Sequence, residues 1–262
     1  MSKTIQLNKN LPTAHLSDLL LHAAYKMPTG EMLTKRAAWL CSASSISEGE
    51  RMPLCCGVDH CERLSCVRCR GREQRVFTIK ALPLLDEIKG STLPLAITII
   101  PSFGKTEVGE LPKGRLRGFK NQISAHFRKA LPNALAVMSV DVSVERTPGK
   151  KEYWQWHAHG ALLNPDDNML EQLRQQFSWR EKEGTNESCY RPVYTKEIND
   201  RVGWLAYISK PGFHMREQRH GANGEPKVCK TRISVEQELV FIKVLSKLKA
   251  KQRFFYIGMD AL

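Results

Sequence analysis

Hydrophobic and polar positions alternate with two different periods through the middle of the chain. The stretch LPLAITII at 93–100 is short and β-branched, which is typical of a strand. Within 114–131 the apolar residues are spaced by three and four positions, which predicts an amphipathic helix that ends before Pro132. The stretches 134–146 and 153–163 predict two long strands joined by the turn TPGKKE.

The second half of the chain predicts more helices and one further strand. The sequence NPDD begins a helix, and 189–198 favours a strand. A helix at 199–212 would be capped by Asn199 or Asp200, and 233–252 predicts a basic amphipathic helix. The expected fold class is therefore α+β, with a central antiparallel sheet, flanking helices and a cysteine-rich segment near the N-terminus.

This pattern divides the chain into four expected regions. They are an N-terminal helical region at 1–54, a cysteine-rich zinc module at 55–75, a catalytic core at 90–215 and a basic helical extension at 216–262.

The charge balance favours a polyanionic partner. Forty Lys and Arg against 27 Asp and Glu give a formal net charge of +13, spread along the chain. No run of eighteen apolar residues and no signal-peptide core occurs in the sequence. We therefore expect a cytoplasmic protein with no membrane partner.

Two histidines lie one residue apart in the strand YWQWHAHGALL. Alternate strand residues point to the same face, so His157 and His159 should project together and suit a divalent cation. Gly160 would leave room for a ligand. Glu145, at the end of the preceding strand, is the preferred third ligand, and Asp141 is the less favoured one. Surface histidines without a metal are the alternative.

The helix VGWLAYISKP carries a candidate nucleophile. At helical spacing, Gly203, Tyr207 and Lys210 share one face. Only about 0.1% of an ordinary tyrosine is phenolate at neutral pH, so attack on phosphate would need a nearby metal or cation such as Lys210. A phosphotyrosine linkage would conserve the energy of a cleaved phosphodiester for rejoining. An ordinary amphipathic helix is the alternative.

Five of the eight cysteines lie within fifteen residues, and the last two have the spacing of a zinc knuckle. The preferred structural zinc ligands are Cys56, Cys61, Cys66 and Cys69. Cys55 or His60 could substitute for one of them, and free or redox-active thiols are the alternative.

Basic residues in two segments are candidates for contacts with DNA phosphates, with solvated charge as the alternative. They are Arg68, Arg70, Arg72, Arg75, Lys113, Arg115 and Arg117. The basic 216–262 segment would contact duplex DNA or cover the sheet.

Taken together, LAITII with Thr98, the strand His157-Ala158-His159 and the helix motif Tyr207-Ile208-Ser209-Lys210 resemble the rolling-circle replication initiator (Rep) proteins of plasmids and phages. These belong to the HUH endonuclease superfamily. The resemblance covers about 55–212 in the family's order, and some plasmid Rep proteins carry a similar cysteine-rich segment.

The resemblance implies a site-specific DNA nickase with a single catalytic tyrosine. Tyr207 would join the 5′ phosphate of an origin strand and leave a 3′ hydroxyl for synthesis, with His157, His159 and Glu145 holding Mn²⁺ or Mg²⁺. The expected partners are single-stranded or melted origin DNA and host helicase and polymerase. No second tyrosine occurs at Lys210 or Pro211, so the paired-tyrosine arrangement of some phage initiators is not matched.

Other functions fit parts of the same pattern. A single-strand DNA transposase of the HUH type uses the same nicking and joining steps. A relaxase fits less well, because its tyrosine usually precedes the histidines. A non-catalytic, zinc-containing DNA-binding regulator would leave the histidine and tyrosine motifs without a role.

Overall fold

The chain adopts a mixed α+β fold in the computed structural model. The residues that the structure describes are 61–64, 66–86, 93–107, 115–146, 151–163, 167–178, 192–209, 215–220, 226–231, 237, 240, 245 and 248–258. The predicted helical region at 1–54 lies outside these residues.

The described helices and strands follow one another along the chain as four α-helices, eight strands and two 3-10 turns. The helices are α1 (Val67–Asp86), α2 (Arg115–Ala130), α3 (Asp167–Ser178) and α4 (Arg201–Ile208). The strands are β1 (Leu95–Ile99), β2 (Lys105–Glu107), β3 (Leu135–Arg146), β4 (Tyr153–Leu163), β5 (Val193–Glu197), β6 (Met215–His220), β7 (Pro226–Thr231) and β8 (Phe254–Ile257). The 3-10 turns are Ser102–Gly104 and Ala250–Arg253.

The strands form one sheet in which antiparallel pairing dominates. Its order among the described strands is β5-β1-β4-β3-β6-β7, while β2 pairs with β4 and β8 pairs with β3. Strands β3 and β6 form a parallel pair, and the long hairpin of β3 and β4 lies at the centre. The expected antiparallel sheet with flanking helices is therefore confirmed at the level of the α+β class.

Each face of the central hairpin is covered by two helices. Alternate residues such as Ala158 and Met138 pack with the buried sides of α2 and α3, and we call this the α2–α3 face. The residues between them, such as Ala161 and Val137, pack with α1 and α4, and we call this the α1–α4 face. Both faces of these strands are buried, although their sequences alternate apolar residues with polar ones such as Ser139, Asp141 and His157.

Most predicted elements lie within one or two residues of the observed ones. The helix predicted at 114–131 is α2, and the strand predicted at 153–163 is β4. Asp200 is the cap of α4, since its carboxylate accepts a hydrogen bond of 2.8 Å from the Gly203 amide.

The expected C-terminal helical extension differs from the observed structure. Residues 215–231 contain the β6–β7 hairpin, and β8 pairs with β3 in the middle of the sheet. The hairpin strands MREQRH and PKVCKT are mostly polar, so no apolar alternation marked them as strands. Residues 237, 240 and 245 are helical. The C-terminal segment is thus partly built into the sheet.

None of the described helices is both long enough and apolar enough to span a lipid bilayer.

Candidate metal and tyrosine site

The two histidines of β4 project together on the α1–α4 face. Their ring centroids are 4.7 Å apart in an edge-to-face arrangement, while Ala158 between them is buried against the opposite face. His157 is buried and His159 is partly buried. The expectation that both imidazoles point to one side of the strand is confirmed.

Hydrogen bonds orient both rings. The Nδ1 atom of His157 lies 3.2 Å from the carbonyl oxygen of Gln155, which can only accept, so Nδ1 carries the proton in this contact. The Nε2 atom of the neutral ring then keeps its lone pair for a metal. The Nδ1 atom of His159 lies 2.9 Å from the hydroxyl of Thr98 on β1. Backbone or side-chain partners of this kind commonly orient metal-binding histidines.

Asp141 completes a group of three possible ligands. Residues opposite each other in an antiparallel pair share a face, and Asp141 lies opposite His157. Its Oδ2 atom is 3.8 Å from His157 Nε2, and donor atoms of Asp141, His157 and His159 all lie within 4.8 Å of one another. Two ligands that each touch one cation at about 2.1 Å can be at most about 4.2 Å apart, so the 3.8 Å separation of this pair is within that limit.

Glu145, the preferred third ligand in the sequence analysis, does not lie in this group. It is opposite Tyr153 rather than a histidine, about 13 Å farther along β3 than Asp141 at the usual rise of a strand. Its carboxylate accepts a hydrogen bond of 2.6 Å from Ser143 and lies 3.5 Å from Arg216. Burial raises the pKa of Glu145, with Arg216 and Ser143 opposing that rise. Asp141 is therefore the carboxylate that accompanies the imidazoles.

Gly160 serves packing rather than ligand access. A Cβ atom at this position would lie 2.2 Å from the sulfur of Met138 and 2.5 Å from the carbonyl oxygen of Val137. The close approach of β3 and β4 therefore requires glycine, and the expectation of open space for a ligand is not met.

Helix α4 brings Tyr207 to the same face as the histidines. The Tyr207 ring centroid is 6.0 Å from that of His159, and the ring stacks at 5.3 Å on Trp204. Leu205 and Ile208 on the other side of the helix are buried in the core. Because Tyr207 is only partly buried, its ring lies at the boundary between the core and solvent. Lys210 lies outside the described residues, so its predicted role stays a prediction.

Trp204 anchors this helix to the strand of the histidines. Its indole Nε1 donates a hydrogen bond of 2.9 Å to the carbonyl oxygen of Gly160, the residue after His159. The amine of Lys196 lies 5.4 Å from the indole centroid, within the range of a cation–π contact. This tryptophan lies in the motif WLAYISKP, and no local pattern predicts its contact with a residue 44 positions away.

A cleft of about 580 Å³ opens beside the tyrosine. Its lining includes Tyr207, Trp204, Thr98, Lys196 and Asn199. This volume is within the range of small-molecule sites of roughly 300–1,000 Å³. The cleft combines an aromatic surface, one cation, an amide and the carboxylates of Glu197 and Asp200 next to the candidate nucleophile.

The cysteine segment forms a second group of possible metal ligands. The sulfur atoms of Cys61, Cys66 and Cys69 lie within 4.8 Å of one another, and those of Cys61 and Cys69 are 3.7 Å apart. A disulfide would need about 2.05 Å, whereas two thiolates on a tetrahedral zinc at about 2.3 Å lie about 3.8 Å apart. The separation of Cys61 and Cys69 is therefore compatible with a shared metal ion and not with a disulfide. Cys56, Cys55 and His60, the candidates for the fourth ligand, lie outside the described residues.

Replacement of one of these thiols should release the metal and destabilise the fold. For Cys69→Ser we expect loss of one bound zinc and a fall of roughly 3 kcal/mol or more in the free energy of unfolding, since metal loss is among the largest single-residue effects. Metal content by mass spectrometry and thermal unfolding measure both effects. Cys229→Ser on β7 is the control, because Cys229 lies outside the thiol group. Full zinc retention in Cys69→Ser would contradict this assignment.

The predicted DNA-contacting residues fall on different parts of the fold. Arg72 and Arg75 are exposed on α1, the helix that packs beside α4. Arg115 donates hydrogen bonds to the carbonyl oxygens of Phe103 and Lys105, so it holds the turn before β2. Arg117 is exposed on α2, which covers the opposite face of the sheet from the histidines.

The side chains of Arg68 and Arg70, and the whole of Lys113, lie outside the described part of the chain. Of the candidate DNA contacts, Arg72 and Arg75 are thus the two on the histidine side of the sheet whose side chains the structure describes.

Comparison with known proteins identifies no relative of this chain. No protein-family model matches the chain, and neither a curated protein nor a solved structure is significantly similar to it.

Proposed function

We propose that the protein is a metal-dependent DNA nickase and strand transferase of the rolling-circle initiator type, with Tyr207 as nucleophile. One observation supports this proposal most directly. The ring centroids of Tyr207 and His159 are 6.0 Å apart, and both residues lie on the face that also contains His157 and Asp141. A nucleophile, a metal-ligand group and a cleft are thereby next to one another.

The donor set suits the chemistry of phosphodiesters. Two imidazoles and one carboxylate leave several positions on a divalent ion for phosphate oxygens, so the ion would withdraw charge from the phosphorus. Mn²⁺ and Mg²⁺ both accept such a set. His157, His159 and Asp141 would hold the ion, with Thr98 orienting the ring of His159.

The reaction then needs one nucleophile and one leaving group. The phenolic oxygen of Tyr207 forms a bond to phosphorus and loses its proton, while the bond from phosphorus to the 3′ oxygen breaks and that oxygen takes up a proton. The products are a 5′-phosphotyrosine and a free 3′ hydroxyl. Reversal by another 3′ hydroxyl rejoins the strand without an external energy source.

The cleft and the charge support DNA as the substrate. Trp204 and Tyr207 offer aromatic surfaces on which bases can stack, and Lys196 lies within reach of the same cleft. The net charge of +13 favours binding to a polyphosphate. The substrate would be single-stranded or melted DNA, because only an unpaired strand leaves its bases free to stack on these rings.

The proposal is tested by incubating the full chain with labelled single-stranded oligonucleotides that cover candidate origin sequences. With Mn²⁺ present we expect a labelled band at the mass of protein plus DNA that survives denaturation, together with a fragment ending in a 3′ hydroxyl. Chelation of Mn²⁺ before mixing should prevent both products. Binding of DNA without any adduct or fragment would instead favour the non-catalytic regulator.

A further inference from the structure

A buried arginine connects the helix of the candidate nucleophile to the strand of its metal ligands. Arg253 is 4% exposed and ends the 3-10 turn Ala250–Arg253 just before β8. Its Nε atom donates to the hydroxyl of Ser139 at 3.3 Å, and its Nη2 atom donates to the carbonyl oxygen of Ile208 at 3.2 Å. These two acceptors are 69 residues apart in sequence, so the guanidinium joins separate elements.

Both acceptors lie at the site. Ser139 is directly opposite His159 in the pairing of β3 with β4. Ile208 is the last residue of α4 and follows Tyr207. Carbonyl groups in the last turn of a helix lack partners within the helix, and a cation there is also favoured by the helix dipole. Arg253 therefore fixes the end of α4 to the strand pair that carries the histidines.

The charge of Arg253 also reaches the metal-ligand carboxylate. Burial lowers the pKa of Arg253 to about 10, and the negative charge of Asp141 opposes that shift. The side chain therefore stays protonated at neutral pH. Burial of a charge is unfavourable unless hydrogen bonds compensate for it. A planar group with several donors meets this need across two acceptors, which the ammonium group of lysine does less well.

The turn that delivers Arg253 is held from two directions. Backbone hydrogen bonds of 2.7 Å run from Leu64 to Leu248 and from Ala250 to Glu62, beside the cysteine segment. From the other side, the amine of Lys120 donates to the carbonyl oxygen of Gln252 at 2.7 Å. The turn is thus a braced element between the cysteine segment and the sheet.

We propose that Arg253 is a positioning residue of the nicking site, which sets the distance between the Tyr207 hydroxyl and the Asp141–His157–His159 group. This inference rests on the proposed function, since it assigns the distance a catalytic meaning. In this proposal the turn Ala250–Arg253 and strand β8 belong to the nicking site. The same turn connects the cysteine segment to the site.

The test compares Arg253→Met and Arg253→Lys with Lys120→Met in the full chain. Lys120→Met removes a partly buried cation that holds the same turn from the α2–α3 face but leaves the side chain of Arg253 in place, so it shows how much a general loosening of the turn contributes. Two properties are measured: the rate of adduct formation at saturating Mn²⁺ and DNA, and the fluorine NMR signal of a fluorotyrosine at position 207.

For Arg253→Met we expect adduct formation to slow by about tenfold or more, because charged hydrogen bonds are lost from the site, while the Kd for DNA changes by less than about twofold. Arg253→Lys should stay slow, because one ammonium group cannot reach both acceptors. In both variants the fluorine signal of the tyrosine at position 207 should shift and broaden. The relaxation of this signal by bound Mn²⁺ should be weaker than in the wild type. Lys120→Met should slow adduct formation and shift the signal less than Arg253→Met does, because the side chain of Arg253 and its hydrogen bonds to Ser139 and Ile208 are retained.

Equal rates in Arg253→Met and Lys120→Met, or an unchanged Tyr207 signal in both Arg253 variants, would overturn the inference. If Arg253→Met does not fold, Arg253→Lys carries the same test. The NMR signal without metal separates the two proposals. Absence of adduct in the wild-type protein would contradict the nickase proposal. A fluorine signal at position 207 that is the same in the wild type and in both Arg253 variants would contradict the positioning role.

Discussion

Tyr207→Phe is expected to abolish the covalent protein–DNA adduct while leaving DNA binding and metal binding in place. The substitution removes one oxygen atom, and the phenyl ring can still stack on Trp204 at the observed 5.3 Å and meet His159. The fold should therefore be retained. Without the oxygen no bond to phosphorus can form, so adduct formation should fall by roughly a thousandfold or more, to background. A denaturing gel with labelled DNA measures it.

Tyr194→Phe is the matched control. Tyr194 lies on β5 opposite Thr98, is 48% exposed and belongs to the same side of the sheet, about 10 Å from His159 across two strand spacings. It offers a second accessible phenol near the histidines. We expect its variant to form adduct at the wild-type rate. If Tyr207→Phe forms the adduct and Tyr194→Phe does not, the nucleophile is Tyr194 on β5.

Asp141→Asn should weaken Mn²⁺ binding by about a hundredfold or more, since even partners outside the ligand shell contribute about 10- to 100-fold. The amide keeps the size of the carboxylate, and its oxygen can still accept the 2.9 Å hydrogen bond from the Val142 amide. The change is therefore confined to charge at the ligand position. Titration of Mn²⁺ followed by calorimetry or electron paramagnetic resonance measures the affinity without reference to cleavage.

Glu145→Gln separates the two carboxylates of β3. Because Glu145 contacts Ser143 and Arg216 instead of the histidines, its amide variant should bind Mn²⁺ within about twofold of wild type. The two variants carry the same chemical change four residues apart on one strand. A loss of affinity in Glu145→Gln with none in Asp141→Asn would restore the ligand set first expected from the sequence.

The hydrophobic pattern predicted the parts of the fold that depend on local periodicity. Strands β3 and β4 and helix α2 follow apolar repeats of two and of three to four residues, and the face shared by His157 and His159 follows from the period of a strand alone. The helix of Tyr207 was likewise predicted by its cap and its spacing.

The choice of carboxylate depends on strand register, which periodicity does not supply. Asp141 and Glu145 have the same parity along β3 and therefore the same face. Only the pairing of β3 with β4 brings Asp141 opposite His157. Both carboxylates precede the histidine strand in the sequence. Without the strand register, the sequence could not show which of them lies opposite His157.

Long-range contacts account for the rest of what sequence reasoning missed. Arg253 reaches Ser139 and Ile208, which lie 114 and 45 residues away, and no local pattern relates such positions. The polar β6–β7 hairpin pairs at one side of the sheet, where apolar alternation is not required. The indole of Trp204 contacts Gly160 in the same way, across 44 residues.

The proposed reaction bonds the Tyr207 oxygen to a DNA phosphate beside the Asp141–His157–His159 group. The most direct measurement is mass spectrometry of the Mn²⁺-dependent adduct after digestion with nuclease and trypsin. The peptide 202–216 contains Tyr207 as its only tyrosine. We expect a nucleotide phosphate on that peptide and no labelled peptide when Mn²⁺ is chelated. A nucleotide on a different peptide, or an unmodified 202–216 in protein that has bound Mn²⁺ and cut the DNA, would contradict the assignment of Tyr207 as the nucleophile.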